Sequence, residues 1–110
     1  MTTVTFRTER GRITGFDAEG HSGYGAEGGD IVCAAVTSAV RLVEATVNDV
    51  LGLAAAVKVR PEEAAIHFRL PGSLGPTAES ACQALLTGLM VYLSQLHDEY
   101  PEHIEVLEGE

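Results

Sequence analysis

A histidine and a cysteine twelve positions apart, His21 and Cys33, carry the chemistry that this sequence can perform. Between them lie the glycines Gly23, Gly25, Gly28 and Gly29, and Cys33 falls in the first turn of a predicted helix. A free thiol is a weak nucleophile at neutral pH, because its reference pKa of about 8.5 leaves it mostly protonated. A helix N-terminus presents roughly half a positive charge and unpaired N–H donors, and both favour the thiolate. If the glycine-rich segment folds back, His21 becomes the nearby base or imidazolium partner that nucleophilic catalysis requires. The first reading is a small cysteine-nucleophile enzyme.

Asp30 is the predicted N-cap of that helix, its carboxylate accepting the N–H of Val32 or Cys33. Cys33 is then the third helical residue, beside a stripe begun by Val32 and Val36, at the edge of the core. Asp30 opposes thiolate formation by its charge, whereas the helix end and a protonated His21 favour it. The favourable pair prevails when the loop is closed. In acyl transfer Cys33 attacks the scissile carbonyl and His21 protonates the leaving amine. Backbone N–H groups around Cys33 supply the oxyanion donors, since no side-chain amide lies close in sequence. The glycines suit a lid that opens for a peptide and closes on it. Tyr24, within that loop, helps wall the peptide groove or stands as a solvent-exposed aromatic.

The bland readings deserve equal weight. A cysteine by itself is commonly a small core residue. Cys82 sits on the stripe of Leu85, Leu86 and Leu89 and reads as inert packing. His21 alone would pass for a strand-end surface histidine; its pairing with Cys33 and the glycines reverses that judgement. His67, His97 and His103 read as surface groups, and Asp30 reads equally well as a cap and nothing more. Gly23 to Gly28 also spells G-x-G-x-x-G, but hairpins replace the parallel crossovers that a dinucleotide fingerprint needs. Glu27 and Asp30 would also repel a pyrophosphate. No C-x-x-C or paired-histidine spacing points to a metal, so no cofactor is expected.

Hydrophobic periods supply the elements that position these groups. Val4 and Phe6 alternate with polar residues, Ile13 and Phe16 lie in a second extended stretch, and Gly11 suggests the turn between them. A helix from near Asp30 carries Val32, Val36, Ala39, Val40, Val43, Val47 and Val50, with Gly52 as its stop signal. Residues 54–60 and 64–70 read as two strands joined through Pro61. Thr77 caps a second helix with the stripe Leu85, Leu86, Leu89, Leu93 and Leu96; Pro101 ends it, and Ile104 and Val106 suggest a last strand. The order β-β-α-β-β-α-β predicts an α+β fold, a mainly antiparallel sheet with two helices on one face. The other face is left exposed or is covered by a second subunit.

The chain of 110 residues, 45% apolar with mean hydropathy +0.12, suits one domain, 1–110, and argues against disorder. Its net charge of −9 opposes direct binding to nucleic acid and would attract a basic protein. The glutamates at 102, 105, 108 and 110 read as a solvated end. No secretory signal is expected from residues 1–6, and no uninterrupted apolar run reaches about 18 residues, so neither export nor a membrane span is expected. Cytoplasm is the default compartment.

Gly20-His21-Ser22-Gly23-Tyr24, followed by Gly29-Asp30-Ile31-Val32-Cys33-Ala34-Ala35-Val36, resembles the two signature boxes of the ribosomal-processing cysteine protease family. The histidine–cysteine separation, length, element order and acidic tail extend the likeness to essentially the whole chain. The resemblance implies a cytoplasmic homodimer that removes an N-terminal extension from ribosomal large-subunit protein twenty-seven. It places the nucleophile on Cys33, the catalytic histidine on His21 and an acidic helix-start residue on Asp30. A hydroxyl one turn after the cysteine falls on Thr37, which with Gly23 and Tyr24 makes up the expected substrate-binding set. Two other classes stay open: a non-catalytic module that binds a basic ribosomal tail, and a thiol redox or acyl-transfer enzyme using Cys33.

Overall fold

Alternating apolar residues build one buried sheet face, and the valine and leucine stripes of two helices cover it. The computed structural model describes residues 1–20 and 29–110, with Gly29 and Asp30 as backbone only. β1 (Thr2–Glu9) and β2 (Arg12–Glu19) form a hairpin turning through Arg10 and Gly11, both at positive φ. α1 (Gly29–Glu44) follows and continues as a π-helical segment, Ala45–Val50. β3 (Ala56–Arg60) and β4 (Ala65–Arg69) form a second hairpin through a 3₁₀ turn, Pro61–Glu63. α2 (Pro76–Glu99) then leads to β5 (Ile104–Gly109). The predicted element order and α+β class both hold.

The sheet order is β3-β4-β2-β1-β5, and all pairs are antiparallel except β1 with β5. That one parallel pair follows from connectivity. α2 carries the chain back across the sheet after β4, so β5 starts at the same end as β1. Phe6, Phe16 and Phe68 lie in one register row across β1, β2 and β4. Phe16 stacks on Phe68 at a centroid separation of 5.1 Å and meets Phe6 at 5.9 Å. Val32, Val36, Val40, Val43 and Val47 of α1 and Cys82, Leu86, Leu89, Leu93 and Leu96 of α2 join these rings in one core. Burying each such side chain contributes about 1.5–3 kcal/mol.

Four local expectations need correction. Val50 is 75% exposed, because the π-type bond from the Leu51 N–H to the Thr46 carbonyl widens the last turn and rotates Val50 off the stripe. The cap of α2 is Gly75, not Thr77; Pro76, with its fixed φ, suits the first helical position and starts the helix two residues early. α1 begins at Gly29, so Asp30 lies inside the first turn instead of capping it, and Cys33 is the fifth helical residue. Ile31–Val50 is, by length and composition, a helix long and apolar enough to cross a membrane, although no uninterrupted apolar run announced it. Here five of its six valines join the core beneath the sheet.

Candidate active site

Cys33 sits where α1 begins, half-buried, on the wall of a cavity of about 190 Å³. Three walls close that cavity. α1 contributes Cys33, Val36 and, one turn beyond the cysteine, Thr37. The end of β2 contributes Ala18, Glu19 and Gly20, with Thr2 beside them on β1. The β3–β4 hairpin contributes Val59, Pro61, Ala64, Ala65 and Ile66. Most of the wall is aliphatic. An engineered apolar cavity of about 150 Å³ accepts benzene, so this one has room for an aromatic or branched aliphatic side chain.

The exit of β2 into the cavity rim is held on both sides. The Gly20 N–H donates to the Ala64 carbonyl at 3.2 Å, and the Thr2 hydroxyl donates to the Gly20 carbonyl at 3.4 Å. Gly20 has φ +88°, and a Cβ there would lie 2.6 Å from the Met1 carbonyl oxygen. Glycine is therefore required where the chain leaves the sheet. The next residue in sequence is His21.

Of the sequence-derived site residues, Cys33 and Thr37 come together on one cavity wall. Asp30 is placed only as helical backbone, in the first turn of α1 and three residues before Cys33. His21, Gly23 and Tyr24, and the expectation of a mobile glycine-rich lid, lie outside the described residues. The hairpin wall was missed altogether. Its signal was present in Pro61, which fixes a turn two positions after the apolar Val59. Cys82, by contrast, is fully buried against the sheet as expected. Burial pushes its thiol above the ordinary range, and the nearby Glu79 carboxylate pushes the same way.

His67 and His97, expected as surface groups, are half-buried and partnered. The His97 ring nitrogen Nδ1 lies 2.6 Å from the Ile104 carbonyl oxygen, joining α2 to β5. His67 Nδ1 lies 2.6 Å from Oδ1 of Asp17, on the sheet face away from the helices. Asp17 is itself buried, 6% exposed, and also meets Arg7 and Arg69. Burial alone would raise its pKa, but hydrogen bonds from His67, Arg7 and Arg69 outweigh that and hold the carboxyl below its ordinary value.

Comparison with known proteins matches residues 1–105 to the family described as cysteine protease Prp. The chain belongs to that family. It is a cysteine protease. The Prp match covers both signature boxes and every element named above as far as the first residues of β5. The chain is 29% identical over 94 residues to the ribosomal processing cysteine protease Prp of Bacillus subtilis (strain 168), covering 86% of this chain and 84% of that protein. It is similar to the crystal structure of an essential ribosomal processing protease Prp from S. aureus in complex with a covalently linked product peptide. The TM-score there is 0.78 at 26% identity, over 99% of this chain and 100% of that one. The same S. aureus protein in complex with a substrate peptide gives a TM-score of 0.79 at 25% identity, over the same shares. A Streptococcus mutans protein shares the fold, with TM-score 0.84 at 19% identity, over 98% of this chain and 93% of that one. Prp membership displaces the reading of a non-catalytic module and that of a redox enzyme.

Proposed function

We propose that this Prp protease removes the N-terminal extension of ribosomal large-subunit protein twenty-seven in the cytoplasm, using Cys33 and His21. The observation that carries the reading is Cys33 on the wall of an apolar cavity, with the chain running from its opposite rim, Gly20, into the sequence of His21. An apolar substrate side chain enters the cavity and brings the adjacent carbonyl to the Cys33 sulfur. The thiolate attacks that carbon, the carbonyl electrons move to oxygen, and backbone N–H groups of the first α1 turn stabilise the oxyanion. Collapse expels the amine, which takes its proton from the His21 imidazolium. Water, deprotonated by His21, then releases the acid and frees the thiol. Thr37 offers its hydroxyl to the bound peptide, Gly23 and Tyr24 line the groove, and the glycine-rich segment admits and encloses the substrate. Asp30 orders the first turn through its charge near the helix start.

The working unit is a homodimer, and α2 is the element suited to join it. From Ser80 to His97 this helix contains no Asp, Glu, Lys or Arg, in a chain of net charge −9. Two copies repel each other, so they meet most cheaply where no charge is buried. Val91 and Tyr92 are exposed there, and Tyr92 borders a groove of about 280 Å³ between α1 and α2. Tyr92→Glu should turn a dimer into a monomer in sedimentation; a wild-type monomer at working concentration would remove this part of the reading.

The deciding experiment is incubation with the extended ribosomal protein and mass measurement of the products. One cut that releases the extension is expected. No cut, or cuts spread along the substrate, would overturn the assignment.

A further inference from the structure

Among the described residues, the mechanism leaves one buried carboxylate without a task. Asp17 stands in the middle of β2, on the face opposite the helices, with Thr5 and His67 as register partners. Its Oδ2 accepts from Arg7 Nε at 2.7 Å, and His67 Nδ1 meets its Oδ1 at 2.6 Å. Arg69 Nη2 spans both oxygens, at 2.9 Å from Oδ1 and 3.0 Å from Oδ2. Arg69 Nη1 also donates to the carbonyls of Phe16 and Phe68. One carboxylate thus ties β2 to β1 on one side and to β4 on the other. Gly15 makes the close approach possible: a Cβ there would lie 2.0 Å from the Phe68 carbonyl oxygen and 3.0 Å from Arg69 Cδ.

The position of this clamp along β2 is what gives it a function. The three residues after Asp17 are Ala18, Glu19 and Gly20, the β2 side of the cavity that faces Cys33. β2 carries a second polar fastening at its other end, where Arg12 Nε meets Glu79 Oε2 at 2.6 Å. There the Gln83 amide also pairs with both the N–H and the carbonyl of Ile13. The two fastenings are alike in chemistry. They differ in that only the Asp17 end abuts the cavity.

We propose that Asp17 is a positioning residue for proteolysis: held by Arg7, His67 and Arg69, it fixes the strand end that forms the cavity wall opposite Cys33. This rests on the reading of that cavity as the substrate site. A displacement of about 1 Å between reacting groups can cost a hundredfold in rate, so loss of the clamp falls on turnover before it falls on folding.

The test compares two isosteric charge removals, Asp17→Asn and Glu79→Gln, with the extended ribosomal protein as substrate and iodoacetamide as a probe of Cys33. Asp17→Asn should lower kcat ten- to a hundredfold with KM within threefold. It should also change the Cys33 alkylation rate at least threefold. Glu79→Gln should leave both within twofold, even where it lowers the unfolding temperature as much. His67→Gln removes one partner only and should give an intermediate loss of kcat; it carries the test if Asp17→Asn fails to fold. Unchanged kcat and alkylation in a folded Asp17→Asn or His67→Gln variant would overturn the proposal. So would losses in both strand-end variants that merely track their unfolding temperatures. Wild-type protein that cuts nothing would count against the substrate reading, while the alkylation rates would still decide the positioning role.

Discussion

Cys33 and Cys82 are the same residue on the same kind of element, and the fold gives them opposite fates. Cys82 faces the sheet from α2, is fully buried, and packs among Leu86, Leu89 and the phenylalanine row. Cys33 sits in the opening turns of α1, on the wall of a cavity, with Thr37 one turn away. The stripe explains the difference. Val32 and Val36 take the inward positions of α1, and Cys33, one step round from Val32, is carried to the edge of the core. Access to a thiol in this chain is thus decided by angular position on a helix, not by residue type.

The sharpest way to break that comparison is to remove each sulfur. Cys33→Ala should lower kcat/KM by at least about 10³-fold, the scale of losing a nucleophile, with the unfolding transition nearly unchanged. Cys33→Ser should be almost as inactive, because a serine hydroxyl is far less acidic than a thiol. Residual cleavage close to wild type in either variant would end the distinction between the two cysteines.

Cys82 should answer in stability alone. Cys82→Ser buries a hydroxyl in an apolar site and should cost about 1–3 kcal/mol in denaturant unfolding, with kcat/KM intact. Its thiol also links stability to alkaline pH. The folded pKa is raised, so the contribution is fully present below the ordinary thiol range and is lost as pH rises through the folded value. Wild-type stability should therefore fall on the alkaline side more steeply than that of Cys82→Ala, as denaturant titrations at several pH values would show. Asp17 gives the mirror case. Its depressed pKa supplies stability above the ordinary aspartate range that is lost as pH falls through the lowered value. Acid titration of Asp17→Asn should lose that part of the slope.

The smaller effects sharpen the comparison further. Thr37→Val keeps the volume of the cavity wall but deletes the hydroxyl, and should raise KM about two- to tenfold, the net worth of one hydrogen bond. Cys82→Ala should cost about 1 kcal/mol through a small cavity and leave KM unchanged. If Cys82→Ala altered KM as much as Thr37→Val, the two helices would not be as separate in function as their cysteines imply.

Much of this architecture was legible in the residues. Valines at helical spacing in α1 and leucines in α2 give the element order directly, because each stripe must find an apolar surface. Cys33, near a helix start and twelve positions after His21 in sequence, is likewise a local pattern. What escaped was non-local. Asp17 reads as one polar residue in a strand until Arg7 comes across the hairpin and His67 and Arg69 arrive from far along the chain. The parallel pairing of β5 depends on the path that α2 takes. The cavity's hairpin wall depends on which strands end beside α1. The π turn that exposes Val50 arises from backbone bonding that hydrophobic periodicity does not encode.

The central claim, that Cys33 and not Cys82 is the nucleophile, is tested most directly by covalent capture. The protein is treated with a peptide that carries the residues before the scissile bond and ends in a thiol-reactive carbon. Intact mass and fragment mapping are then read on wild type and on Cys33→Ala. The account predicts one adduct per chain, located on Cys33, with loss of proteolysis in step with its formation and no adduct in the variant. Capture on Cys82, or full inactivation of cleavage without modification of Cys33, would contradict it.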